Sequence, residues 1–256
     1  MHGQADHTGG DVSSSPHIRW IALDAVGTLI HSDPSIMAVY HRVALAHGST
    51  LDEAQIGRRF REVFCRWLSA AGAETSESAE RTFWRGVVAE VLPDVADLES
   101  CFRTLFDWFG EPAAWRCFPD VEPALAALER RGYRLVIASN YDSRLHAVCD
   151  GLPPVARIPG RVISSEAGWR KPHRRFYARL QEFCGCRPEE ILMVGDDLEN
   201  DVSGARRAGL RAVHVDRDGG AGDGAVSRLT ELEDWLSSTG ATIPNPGAVD
   251  YRQTGS

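Results

Sequence analysis

The sequence predicts an α/β fold: a mainly parallel sheet flanked by helices, with an all-helical domain inserted into it. Three observations predict it. Short apolar runs alternate with amphipathic patterns of helical period along most of the chain. One long segment, residues 34–112, breaks the alternation and reads as helix. Four of the apolar runs are followed by polar clusters, where a parallel sheet presents its ligand-binding groups.

The strand candidates are "WIAL" (20–23), "RLVIAS" (134–139), "RVISS" (161–165), "ILMVG" (191–195) and "RAVHV" (211–215). Continuous apolar runs of this length suit parallel strands buried on both faces. Helical patterns lie between most of them. "PALAALERRG" carries Leu125 and Leu128 on one face and stops at Gly132. "PHRRFYARLQEF" follows a proline and sets Phe176, Leu180 and Phe183 on one side. "NDVSGARRAG" places Val202, Ala205 and Ala208 before Gly209.

The insertion has its own signals. "STLDEAQIGRRFREVFCRWLSAAG" reads as a helix opened by a capping box from Thr50 to Glu53. Ile56, Phe60, Val63, Phe64 and Trp67 recur at helical spacing. "AERTFWRGVVAEVL" and "LESCFRTLFDWFG" continue the pattern. Such a stretch is too long for a loop, and its aromatic residues read as core. "CFPD" (117–120) marks the return to the sheet. The expected organisation is therefore a disordered segment 1–16, an α/β core of residues 17–33 and 113–240, a helical domain 34–112 and a flexible tail 241–256.

Composition narrows the function classes. A chain of 256 residues can bury a full core. Its formal net charge of -8 argues against nucleic acid, which needs a basic face. No apolar run approaches the ~18 residues of a membrane span, and the N-terminus lacks a signal core. A soluble, cytoplasmic protein is expected. Six scattered cysteines fit reduced thiols. Cys184-Gly-Cys186 lacks the second pair or nearby histidines that a metal site needs.

The chemistry lies in the clusters after the strands. Asp24 and Thr28 follow the first, Ser139 and Asn140 the second, Lys171 the third, and "GDDLEND" the fourth. Each taken singly reads as a turn or cap residue; in this order they read as a site. Asp196, Asp197, Glu199 and Asp201 crowd four carboxylates into one short loop. Like charges this close raise one another's pKa unless a cation compensates, and oxygen ligands suit Mg2+. Asp24, from a neighbouring strand, supplies a further carboxylate, while Asp201 is expected to favour the following helix N-terminus. Lys171 is the sole lysine among 28 Lys and Arg, which marks a place for a compact ammonium.

These residues resemble the four motifs of the haloacid dehalogenase (HAD) superfamily. Asp24-x-x-x-Thr28, Ser139-Asn140, Lys171-Pro172 and Gly195-Asp196-Asp197…Asp201 match in order across residues 18–216. The resemblance implies a Rossmann-like core with a type 1 helical cap, and a phosphohydrolase acting on a small phosphorylated metabolite. It implies Asp24 as the nucleophile, with Mg2+ on Asp24, the backbone carbonyl of Val26 and Asp196. Asp197 and Asp201 would orient the ion or its waters. Ser139 would bond the phosphoryl oxygens, and Lys171 would neutralise charge.

Val26 departs from the pattern. The phosphatases of that superfamily usually carry an Asp there as general acid and base, a role valine cannot fill. Such help contributes ~10²–10⁴-fold, so activity is expected to be low or restricted by the leaving group. His31 and the cap face are candidate substitutes. Two other readings follow. A 2-haloacid dehalogenase needs no acid for halide release, and Arg59 would then grip the substrate; those enzymes work without metal and lack the acidic loop. A catalytically weak relative would bind a phosphorylated ligand or a protein. A phosphonoacetaldehyde hydrolase would need a cap lysine, which this chain lacks.

Overall fold

The computed structural model describes residues 17–220, 222 and 224–238. The expected terminal segments 1–16 and 241–256 lie outside the described residues. The first strand, β1 (Trp20–Leu23), is followed by a short β2 (Ile30–Ser32). Four helices come next: α1 (Ile36–Ala46), α2 (Glu53–Ala70), α3 (Glu77–Val91) and α4 (Leu98–Trp108). The chain then runs through β3 (Trp115–Cys117), α5 (Val121–Arg130), β4 (Arg134–Ser139), α6 (Arg144–Asp150) and a one-turn α7 (Pro153–Ala156). It continues as β5 (Arg161–Ile163), a short α8 (Ser164–Ala167), α9 (Arg174–Cys184) and β6 (Ile191–Gly195). A π-helical turn (Leu198–Ser203) leads into α10 (Gly204–Arg207), β7 (Arg211–His214) and α11 (Leu232–Ser238).

Five strands form a parallel sheet in the order β5-β4-β1-β6-β7. β1 is central, and the chain fills one side of it before crossing to the other. That reversal makes the carboxyl end of β1 a topological switch point, where such sheets bind ligands. Register fixes what meets there. Leu23 lies opposite Ile137 on β4 and Val194 on β6, so the residues after these three strands emerge side by side.

Alternation along the strands divides the core. Ile21, Leu23, Ile137 and Val194 pack on one face with Leu125, Leu128, Leu145 and Leu236. Ala22, Val136, Ala138 and Met193 face the other way, onto Phe176, Tyr177 and Leu180. Helices α1–α4 hold a separate apolar cluster that includes Val39, Ile56, Val87, Phe102 and Leu105.

Several local expectations are corrected. The chain leaves the sheet for the four helices and returns through an antiparallel ribbon, Ile30 opposite Cys117 and Ser32 opposite Trp115. Its strands, IHS and WRC, are short and hold no continuous apolar run to signal them. The cap of α2 is Asp52, not Thr50: Asp52 accepts from the Gln55 amide and the Gln55 side chain accepts from the Asp52 amide. Thr50 is held instead by Asp94. The third strand stops at Ile163 because Ser164 turns into α8, its hydroxyl tied to the Tyr141 backbone. Phe183 does not join Phe176 and Leu180 inside; it is 42% exposed and packs edge-on to Trp20.

Candidate functional site

Asp24 extends β1 by one residue, its amide donating to the Val194 carbonyl at 2.9 Å. The chain then reverses: Leu29 and Ile30 amides both donate to the Ala25 carbonyl. Gly27 permits the reversal with φ of +90°, and a Cβ there would collide with the Asp196 carboxylate. The turn seats Thr28, fully buried, with its hydroxyl donating to Asp196 Oδ1 at 2.9 Å. The first and fourth clusters are thereby bonded to each other.

Lys171 is the hub. Its ammonium donates to Asp24 Oδ1 at 2.6 Å, Asp201 Oδ1 at 2.6 Å and the Ala138 carbonyl at 2.8 Å. All three donors of the ammonium are used, at 4% exposure. A planar guanidinium does not offer this tripod, which accounts for the lone lysine. Asn140 holds the Lys171 backbone with two bonds: the Lys171 amide donates to Asn140 Oδ1, and Asn140 Nδ2 donates back to the Lys171 carbonyl. Ser139 Oγ donates to Asp24 Oδ1 at 3.1 Å.

The acidic loop divides its labour. One carboxylate oxygen each of Asp24, Asp196 and Asp201 falls within 4.8 Å of the others. Asp197 stands apart from that group; it caps the π-helical turn by accepting from the Glu199 and Asn200 amides. The N-terminal capping expected of Asp201 thus falls to Asp197. Asp201 is instead buried, accepting from the Asp197 amide and from Lys171. It lies over Gly195, where any Cβ would strike its carboxylate. Glu199 faces solvent in an ion pair with Arg207.

Three carboxylates share one ammonium, and the electrostatics record the imbalance. Burial raises the Asp196 pKa, and the Asp24 charge adds to it. Burial likewise raises Asp201, with Lys171 pulling against it. Burial alone would lower Lys171, but Asp201 and Asp24 outweigh it and hold the ammonium charged. A divalent cation fits this donor set. Asp201 accepts hydrogen bonds at both oxygens, so Asp24 and Asp196 would be the ion's main carboxylates, within the one or two typical of Mg2+.

Other expected residues sit elsewhere. Val26 lies in the wall of a cavity between the sheet and the four helices, with Asn140 beside it. His31 is in the β2 strand, 4.8 Å from Phe118 ring to ring, and Arg59 spends its guanidinium on the Glu90 and Val91 carbonyls. Neither lines the cavity. The cysteines are free, and burial raises Cys184 and Cys186, the latter to about 11. Sequence reasoning missed Arg217. It donates to the Gly27 and Thr28 carbonyls, pairs with Asp120 and lies 3.6 Å above the Phe118 ring. As one of many arginines it carries no signal of its own.

Comparisons with known proteins identify the family. The family model for haloacid dehalogenase-like hydrolases matches residues 18–209. A haloacid dehalogenase-like hydrolase domain-containing protein 3 from Bos taurus is 24% identical over 91% of this chain and 94% of its own length. A phosphoserine phosphatase from Thermus thermophilus is 29% identical over 78% and 89%. Among solved structures, an L-2-haloacid dehalogenase from Xanthobacter autotrophicus superposes with a TM-score of 0.65 at 18% identity, covering 86% of this chain and 98% of that one. With the family match spanning Asp24, the buried lysine and the acidic loop, this chain belongs to the haloacid dehalogenase-like hydrolases.

Proposed function

We propose that the protein is a Mg2+-dependent phosphomonoester hydrolase that works through an aspartyl-phosphate on Asp24. The observation that carries the reading is the Asp24–Lys171–Asp201 chain beside Asp196, a nucleophile, a fixed cation and an ion site in one buried cluster. The ion would be held by Asp24, Asp196 and the Val26 carbonyl, and when bound it neutralises phosphoryl charge. Helices α1–α4 act as the cap that closes over the substrate. Free thiols fit a reducing cytoplasm.

In the first step a carboxylate oxygen of Asp24 bonds to phosphorus, and the ester P–O bond breaks with its electron pair on the leaving oxygen. Lys171 balances the charge carried between carboxylate and phosphoryl oxygens, and Ser139 turns its hydroxyl from Asp24 to a phosphoryl oxygen. Asp201 and Asn140 keep Lys171 in place. Water then attacks phosphorus, releasing phosphate and a proton and restoring the carboxylate. The side chain of Val26 moves no proton in either step, so the leaving oxygen departs as the anion or draws its proton from water.

The test is phosphate release from phenyl phosphate with Mg2+ and with a chelator, for wild type and Asp24→Asn. Release only with Mg2+ and only in wild type supports the reading. Metal-independent turnover confined to chlorinated carboxylic acids contradicts it.

A further inference from the structure

The cavity that Val26 borders says what the substrate carries beyond its phosphate. It encloses about 330 Å³ between the sheet and all four inserted helices. For scale, an apolar cavity of ~150 Å³ takes up benzene. Tyr40, Phe60, Trp84, Phe106 and Phe109 supply aromatic surface, and Val26 with Tyr141 closes the end nearest the nucleophile's loop.

Its charged groups are already satisfied. Arg144 is the one cation among the described lining residues. It holds Asp142 through two bonds of 2.7 Å, donates to the Phe106 carbonyl and lies over the Phe106 ring. Glu80 is bonded by Thr75 and paired with Arg170 at 2.8 Å. Asn140 is committed to the Lys171 backbone. No lining cation is left to receive a substrate carboxylate, and a carboxylate brought here would lose its water without compensation.

Resting on the phosphohydrolase reading, we infer that the substrate is an aryl phosphate, a phosphomonoester whose aromatic ring fills this cavity, rather than a small phosphorylated carboxylic acid. Leaving-group chemistry points the same way, independently of shape. A phenol has a pKa near ~10, against ~15.7 for water, to which aliphatic alcohols are closer. An aryloxide therefore leaves without the proton that Val26 does not supply, while an alkoxide does not. The apolar wall and the missing acid are two parts of one specificity.

Phosphonates test the fit apart from leaving-group effects, because a C–P bond stands where the ester P–O bond would break. Calorimetric titration of the Mg2+-loaded protein with benzylphosphonate and with phosphonoacetate compares ring against carboxylate. Benzylphosphonate is expected to bind at least ~10-fold more tightly, from burial of the ring. Trp84→Ala is expected to erase most of that difference while leaving phosphonoacetate affinity unchanged. Equal affinities, or tighter binding of phosphonoacetate, overturn the aryl assignment and leave the hydrolase reading intact. Binding of neither phosphonate overturns both, since the phosphoryl site itself is then absent.

Discussion

At the residue scale the proposed function turns on Asp24, Lys171 and Val26. Lys171→Met would strand the Asp24 and Asp201 carboxylates in a buried site. Breaking one side of such an arrangement costs about 3–5 kcal/mol, and urea unfolding of the metal-free protein should show a loss of that size. Mg2+ should recover part of it by compensating the same carboxylates. Val26→Asp restores a proton donor beside the leaving oxygen. It is expected to raise kcat/KM on alkyl phosphates by ~10²-fold or more, and on aryl phosphates far less. Equal gains on both classes, or none, would show that leaving-group protonation is not what Val26 removes. That Asp24, Lys171, Asp196 and Asp201 gather at one site was legible in the sequence because each follows a strand whose apolar run is plain. Arg217 and the close approaches at Gly27 and Gly195 were not: Arg217 bonds residues far back in the chain and Gly27 makes room for the distant Asp196, while Gly195 meets Asp201 of its own loop only because the π-helical turn folds that carboxylate back over it.

At the scale of elements, the inserted helices are fastened to the sheet by specific contacts. Glu77, in the first turn of α3, accepts from the Ser143 amide at 2.9 Å, the Ser143 hydroxyl at 2.7 Å and the Ser165 hydroxyl. Nearby, Arg170 pairs with Glu80 on the same helix, and the Thr75 amide donates to the Gly168 carbonyl. Partial burial works to raise the Glu77 pKa, but the two serines and Arg144 prevail and lower it. The folded state then binds fewer protons at this site than the unfolded chain. The contact's stabilisation is present above the ordinary carboxylate pKa and fades as pH falls through the lowered one. Because Glu77 is largely exposed, the effect is below about 1 kcal/mol. Glu77→Gln should flatten that acid limb in thermal melts and increase amide exchange at the start of α3. An unchanged acid limb would remove Glu77 from the fastening. The helical character of this insertion was legible from its periodicity. The ribbon of β2 and β3 that connects it was not, since IHS and WRC are short and hold no continuous apolar run. The cavity was also hidden. The same spacing of Phe60, Phe64 and Trp84 serves core and cavity wall alike, and only the packed arrangement separates them.

At the scale of the whole molecule, the fold concentrates negative charge at the carboxyl edge of the central strands and leaves a single lysine to balance it. Bound Mg2+ should therefore stabilise the native state by mass action, raising Tm with ion concentration. Asp196→Asn should weaken that response. A Tm indifferent to Mg2+ in wild type would speak against the ion site. The α/β core around that site was predictable because parallel strands and their helices repeat one simple pattern. What the sequence left open is the meaning of the hole at Val26, which depends on the aromatic cavity beside it. The central claim is that Asp24 becomes phosphorylated during turnover. It is tested most directly by acid-quenching the Mg2+-loaded enzyme during hydrolysis of phenyl phosphate, reducing with borohydride and mapping the product by peptide mass spectrometry. The account predicts reduction of the acyl-phosphate to homoserine at position 24 and nowhere else. Phosphate release with position 24 left as aspartate, or with the adduct on another residue, would contradict it.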